Sequence, residues 1–228
     1  GEFITQVSHE MKTPLNVLQM YSEILLDKDL TSEEEQIEAA NVIHDEVERL
    51  SNLIKNLLSI SQYELGGLQV ERQRVRMHDF LSDIFDNISK SDTGKNLRFK
   101  LDLPNEMSSL MIDKALMRIA INNLLTNAIK YSPPNTTVRV SLAREEDRFL
   151  CCVVDEGYGI PETALPTLFD RFSRVAGERH GEVTGAGLGL AFVEAVITRH
   201  GGQVYVQSSP GEGSSFCITL YASLQPSA

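Results

Sequence analysis

Asn123-Leu124-Leu125-Thr126-Asn127-Ala128-Ile129-Lys130-Tyr131-Ser132 closes a helical run over residues 114–130, and the two faces of that run differ in character. At about 100° per residue, Met117, Ile121, Leu124 and Ala128 form one apolar stripe suited to packing on a sheet. A second stripe begins apolar with Leu116 and Ile119, then turns polar through Asn123, Asn127 and Lys130. Asparagine is costly where a helix should keep burying apolar surface, unless it finds a partner. Amide oxygens suit a hard cation such as Mg2+, which also keeps waters and phosphate oxygens, and Lys130 adds positive charge beside them. The helix therefore reads as one wall of a pocket built over a sheet.

Downstream, the apolar run 149–155 ends in Asp155-Glu156-Gly157-Tyr158-Gly159-Ile160-Pro161. This puts a carboxylate at a strand end beside glycines that let a ligand approach the backbone. Gly185-Ala186-Gly187-Leu188-Gly189-Leu190 then opens a helix whose free amides and dipole favour phosphate. It lacks the Gly-Lys-Ser/Thr ending of a Walker loop, and no apolar strand leads into it, so neither a P-loop nor a dinucleotide fold fits. Residues 173–184, polar and containing Arg174, Arg179 and His180, read as a lid over the phosphates. His200, before Gly201-Gly202, reads as a cationic helix-end residue that favours the dipole.

Strand-like runs at 68–75, 97–103, 137–143, 149–155, 203–207 and 216–221 accompany helical runs at 78–90, 114–130 and 188–200. The charged stretch 144–148 suits a hairpin turn. This part of the chain is expected to form an α/β two-layer sandwich. It begins after Gly66-Gly67, which breaks the preceding helix, so the expected domains are 1–66 and 67–228.

Residues 3–65 carry helical periodicity broken once, near 27–32, where Thr31-Ser32 precede three glutamates as in a capped helix start. That is a helical hairpin. Ile43, Val47, Leu50, Ile54 and Leu57 recur with heptad spacing in the second arm, and Ile4, Val7, Met11, Leu18 and Leu25 form the stripe of the first. With Leu53, Leu58 and Ile60, this is more apolar surface than one hairpin covers. Pairing two hairpins as a four-helix bundle would bury it.

On the first arm lies Ser8-His9-Glu10-Met11-Lys12-Thr13-Pro14. His9 falls about 180° from the apolar stripe, and Thr13 lies one turn further along the same face. Glu10 adjoins His9, where its carboxylate can orient the imidazole or accept its proton. Pro14 removes a backbone hydrogen bond inside a continuous helical pattern, which favours a bend one turn after His9. His44 has no such surroundings and reads as an ordinary helix residue.

A net charge of −11 excludes the clustered cationic surface that nucleic acid requires. Cys151, Cys152 and Cys217 sit in apolar runs without metal-ligand spacing and are expected to be reduced core residues. No apolar stretch approaches a membrane span and no signal peptide is visible. The expectation is a soluble cytoplasmic fragment without membrane contact, whose full-length form would carry any membrane anchor in a region upstream.

The segment 8–15 resembles the H box of the histidine kinase dimerisation and phosphotransfer domain, with Lys12 where that pattern has Arg. Residues 123–132 resemble the N box of the GHKL ATPase fold, 155–159 its first glycine box, Phe169-Asp170-Arg171-Phe172 its F box and 185–190 its second glycine box. Gly211-Glu212-Gly213-Ser214-Ser215-Phe216 resembles its final glycine motif. The resemblance to sensor histidine kinases of two-component signalling implies an α+β multidomain chain: a dimeric four-helix bundle built from the hairpin, then a GHKL-type sandwich.

It further implies ATP and Mg2+ as cofactors, His9 as phosphoacceptor, Glu10 as its acid/base partner, and Thr13 as the residue that positions water for dephosphorylating a response regulator. Asn127, with help from Asn123, is implied to ligate Mg2+. Lys130 and Tyr131 would line the ATP site with Gly157, Gly159, Gly185, Gly187, Leu188 and Gly189. Asp155 is implied to bond the adenine amino group, and Ser215 to support it. Partners would be a second copy of the hairpin and the receiver domain of a response regulator, whose aspartate takes the phosphoryl group. Two rivals are an ATP-driven clamp of the DNA-repair or chaperone type, which lacks the His9 segment, and a degenerate kinase acting as a non-enzymatic docking module.

Overall fold

The computed structural model describes residues 2–26, 32–64, 70–90, 95–104, 109–175 and 187–221. The chain divides into two compact units, residues 1–61 and 62–228. The turn at 27–31, the Gly66-Gly67 pair, Gly185 and the greater part of the expected lid lie outside the described residues.

The first unit is the expected hairpin. Helix α1, Glu2–Leu26, runs through a buried Pro14, and α2, Glu33–Glu64, follows. The start of α2 is a capping box: the Ser32 amide donates to Glu35 Oε2 at 2.7 Å, and the Glu35 amide donates to Ser32 Oγ at 3.3 Å. The Ser32 amide and then the Ser32 hydroxyl, which donates to the same Oε2 at 3.0 Å, hold the Glu35 carboxyl below its ordinary pKa. Ala39 and Leu53 are buried, and Val7, Met11, Leu18, Leu25, Ile43 and Leu50 are half-buried. Of the expected seam, Val47 and Ile54 instead face outward, 47% and 39% exposed, as do Leu15, Met20, Leu26 and Ile37. The Leu57 side chain lies outside the described residues.

The second unit has a five-stranded sheet and a two-stranded ribbon. In chain order its elements are β1 Gln73–Arg76, α3 Met77–Ser89, β2 Arg98–Asp102, β3 Ser109–Ile112, α4 Lys114–Tyr131, β4 Thr137–Glu145 and β5 Arg148–Asp155. A 3-10 helix at Glu162–Thr167 follows, then α5 Gly189–Arg199, β6 Gln203–Ser209 and β7 Gly213–Tyr221. The strand order is β2-β4-β5-β7-β6, with β2 parallel to β4 and the other pairs antiparallel, while β1 pairs with β3.

Strand alternation decides where the core sits. Val138, Val140 and Leu142 of β4, Phe149, Cys151 and Val153 of β5, and Phe216, Ile218 and Leu220 of β7 are buried on one face. Helices α3, α4 and α5 pack against the sheet and supply Phe80, Leu81, Ile84, Met117, Ile121, Leu124, Phe192, Val196 and Ile197. The expected two-layer sandwich is the observed one.

Three expectations need correction. Of the strand expected over 68–75, the described residues 70–72 are not strand and β1 runs Gln73–Arg76; its partner β3 was not expected, since four residues directly ahead of a helix show no alternation long enough to read. The cysteines are not all reduced. Cys152 and Cys217 form a disulfide, because the β5–β7 register sets them opposite each other with Cα atoms 4.1 Å apart; Cys151, one residue earlier, points to the core and stays free. His200 is not a cationic end group either. It is buried and burial lowers its pKa; its Nε2 accepts from the Asp113 amide at 2.9 Å while Nδ1 donates to the Val196 carbonyl at 2.7 Å.

Candidate functional site

Helix α4 is fixed at its start by Asp113, whose Oδ1 accepts from the amides of Ala115 and Leu116 at 3.0 Å each. The His200 bond to the Asp113 amide ties that start to the end of α5. At its other end α5 opens with Gly189, where a Cβ would come 3.0 Å from Asn123 Oδ1. The two helices thus lie antiparallel, and the start of α5 presses on the polar stripe of α4.

The apolar stripe Met117, Ile121, Leu124 and Ala128 is buried against the sheet, whereas Asn123, Asn127 and Tyr131 are half-buried and Lys130 is exposed. Asn123 Nδ2 is a buried polar atom without a hydrogen-bond partner among the described residues. A buried orphan of this kind is costly unless something fills the space beside it. Since the two ends of an amide are interchangeable by rotation, either its oxygen or its nitrogen can be offered. The half-buried Asn127 amide lies one helical turn on, so two neutral oxygen donors on one stripe suit a hard cation that retains waters and phosphate oxygens. Burial raises the Tyr131 phenol's pKa, and the nearby Arg174 guanidinium opposes that rise.

Asp155 ends β5 on the same face of the sheet, 5% exposed. Its Oδ1 accepts from the Gly157 amide at 2.8 Å and the Ser214 amide at 3.2 Å, and no described residue bonds Oδ2. Burial raises its pKa to about 6 against those two bonds, which lower it. Gly157 is required by close approach: a Cβ there would lie 2.5 Å from Asp155 Oδ1 and 2.7 Å from the Tyr131 carbonyl oxygen. The Tyr158 amide donates to that same carbonyl at 3.1 Å, joining the glycine-rich loop to the end of α4. Gly159, at φ +68, passes so close to the Ser209 carbonyl that no side chain fits.

The last turn brings a surprise. Ser215 stands on the opposite face of β7 from Asp155, with its Oγ 3.5 Å from Cys217 Sγ. Its neighbour Ser214 is the residue that reaches Asp155 through its amide, and its Oγ lies 3.0 Å from Ser208 Oγ. Ser208 in turn accepts from the Ile160 amide at 2.8 Å and donates to the Gly213 carbonyl at 2.7 Å. Strand alternation carries the signal for Ser214, since Phe216 on its side faces the core. A cleft of about 240 Å³ at this end of the sheet takes in both faces, lined by Asp155, Ser208 and Ser214 on one and by Val154, Gln207 and Ser215 on the other.

Of the remaining sequence-predicted residues, Gly187 accepts from the Phe172 amide at 2.8 Å and Leu188 is buried at the start of α5. Gly185 lies outside the described residues. His9 and Glu10 lie on α1, in the other unit; their side chains are outside the described residues, and Thr13 is exposed.

Residues 1–66 match the family described as the His Kinase A (phospho-acceptor) domain, and residues 112–224 match the histidine kinase-, DNA gyrase B- and HSP90-like ATPase family. The chain belongs to the histidine kinases. Among its relatives, this histidine kinase chain is 31% identical to the sensor histidine kinase WalK of Bacillus subtilis over 96% of its own length and 36% of WalK. It therefore spans about a third of that relative. The structure of the Acinetobacter baumannii histidine kinase AdeS superposes with a TM-score of 0.73 at 23% identity, covering 94% of this chain and 98% of AdeS. That of histidine kinase ThkA in complex with response regulator protein TrrA matches with a TM-score of 0.73 at 19% identity, over 98% of this chain and 62% of the other. Among the described residues, no helix is long and apolar enough to cross a membrane.

Proposed function

We propose that this chain binds ATP with Mg2+ in the second unit and transfers the γ-phosphoryl group to His9, from which an aspartate of a response regulator takes it. The observation that carries the reading is the pairing of a buried carboxylate, Asp155, whose Oδ2 is open to a ligand, with the asparagine stripe of α4. Asp155 Oδ2 accepts from the exocyclic amine of adenine, while Gly157 and Gly159 let the base approach the backbone. Asn127, with Asn123, would hold the ion, and Lys130 and Tyr131 line the phosphate side with Gly185, Gly187, Leu188 and Gly189. A bound magnesium ion supplies charge neutralisation at the phosphates.

Phosphoryl transfer asks chiefly for positioning and charge neutralisation. The His9 imidazole attacks the γ-phosphorus in line with the leaving β-phosphate oxygen, so that one N–P bond forms, one P–O bond breaks and ADP departs. Glu10 holds the other ring nitrogen and accepts its proton. His9 and Asp155 belong to different units, so catalysis is a reaction between the two units. Thr13, exposed one turn from His9, positions water for dephosphorylating the regulator.

Two further elements belong to the reading. The hairpin pairs with a second copy as a four-helix bundle, supported by six exposed large apolar residues among the described side chains of α1 and α2. A response regulator is the partner, supported by the family and by the complex of ThkA with its regulator. The active fragment is cytoplasmic, with no nucleic-acid partner. Calorimetric titration with ATP, with and without Mg2+, tests the site. Mg2+-dependent binding that Asn127→Ala abolishes is the expected result, and a folded chain that binds no ATP would leave a docking module instead.

A further inference from the structure

The end of α4 is unusually complete. A helix leaves its last carbonyls without intrahelical donors, yet here each is met. Ser132 Oγ donates to the Ala128 carbonyl at 2.6 Å, and the Tyr158 amide serves Tyr131. The carbonyls of Ile129, Lys130 and Ser132 all accept from one group, the Lys95 ammonium, at 3.0, 2.7 and 3.1 Å. We infer that Lys95 is a positioning residue for the nucleotide site: its ammonium, clamped on three carbonyls, fixes the turn that carries Asn127, Lys130 and Tyr131. This rests on the functional reading above.

Chemistry and backbone both favour this role over that of an ordinary surface lysine. An ammonium has three donors in a tetrahedral spread, which suits three converging carbonyls, and its charge sits at the negative end of the helix dipole. Its own backbone is anchored. The Lys95 carbonyl accepts from the Asn135 amide at 3.0 Å, and Asn96 Nδ2 donates to Asn135 Oδ1 at 2.8 Å. Asn96 and Asn135 both adopt left-handed backbone, φ 50 and 64, which asparagine tolerates better than most side chains do. Lys95 therefore joins the loop before β2 to the turn after α4, and meets the carbonyls on either side of Tyr131, while the Tyr131 carbonyl itself is met from the glycine-rich loop. Because the Tyr158 bond is independent of it, the adenine end of the site keeps its own support.

That separation gives the test. Dissociation constants for Mg-ATP and for adenosine are measured on the 228-residue chain and on Lys95→Met, Lys95→Gln and Lys95→Arg, with melting temperatures alongside. Lys95→Met is expected to weaken Mg-ATP about tenfold and to leave adenosine within about twofold, since the phosphate end alone loses its geometry. Lys95→Arg, a planar fork that cannot converge on three carbonyls, is expected to restore part of the loss. If Lys95→Met does not fold, Lys95→Gln carries the comparison. Equal loss for both ligands would reduce Lys95 to a stabilising cap, and Mg-ATP affinity unchanged within about twofold in a folded variant would overturn the inference. A wild-type chain that binds adenosine but not Mg-ATP would also overturn it, whereas one that binds neither would overturn the functional reading itself.

Discussion

Replacing Asp155 by Asn separates what this carboxyl does for binding from what it does to stability. Burial raises its pKa from 3.8 to about 6. Between those values the folded chain keeps a proton that the unfolded chain has released, so stability falls as pH rises through the window, and the full cost is present above it. At 1.36 kcal/mol per pH unit this is about 3 kcal/mol. An amide carries no such cost, although its neutral oxygen accepts the Gly157 and Ser214 bonds less strongly, a loss of about 1 kcal/mol. Asp155→Asn is therefore expected to be about 2 kcal/mol more stable than the wild type at pH 7.5, and to lose roughly two-thirds of that advantage at pH 5. Binding moves the other way. Both backbone bonds go to Oδ1, so the amide oxygen occupies that place and Nδ2 replaces Oδ2. A donor then faces the adenine amine, itself a donor, and ATP is expected to bind about 100-fold more weakly. Inosine triphosphate, with an acceptor at that position, should suffer far less. Urea denaturation at the two pH values and calorimetric titration with both nucleotides measure this; a variant less stable than the wild type at pH 7.5, or one holding ATP within about threefold, would refute the reasoning.

Gly157→Ala is expected to cost about 2–3 kcal/mol in urea denaturation and to weaken ATP at least about tenfold, because its Cβ meets Asp155 Oδ1 and the Tyr131 carbonyl oxygen together. Ser215→Ala should change ATP affinity less than about twofold, since that hydroxyl stands on the far face of β7; a larger loss by titration would restore the role the sequence assigned to it. His200 contributes a pH dependence of opposite sign to Asp155. Its pKa is lowered by burial, so as pH falls below its ordinary 6.5 the unfolded chain takes up a proton that the folded chain resists, and stability declines. His200→Gln should flatten that part of the melting-temperature profile between pH 8 and 5, and an identical slope in both proteins would count against the buried neutral imidazole.

Periodicity made most of this architecture legible before any coordinates. The hairpin, its Ser32–Glu35 cap, and the strands bearing Val138, Val153 and Ile218 are written in local pattern, which the fold obeys because each element buries one face. The asparagine stripe and Asp155 were legible for the opposite reason, as polar groups where burial should have continued. What escaped is set by pairing between distant segments. Nothing near Cys152 points to Cys217; only the β5–β7 register brings them together. His200 reads in sequence as a cationic end group, and only the Asp113 amide, far back in the chain, reveals its ring as a buried acceptor. Lys95 lies in a loop without a motif, and its three carbonyls belong to a helix end some 35 residues on. That Ser214 and not Ser215 bonds Asp155 has a simpler source, since a one-residue step along a strand changes the face.

On the proposed function, His9 receives the phosphoryl group. The direct measurement is incubation of the chain with γ-labelled ATP and Mg2+, followed by acid and alkali treatment and peptide mapping, in parallel with His9→Gln. An acid-labile, alkali-stable label confined to the peptide containing His9 is expected, absent from His9→Gln while that variant still binds ATP. Label retained at the same level in His9→Gln, or mapped to another residue of the wild type, would contradict it.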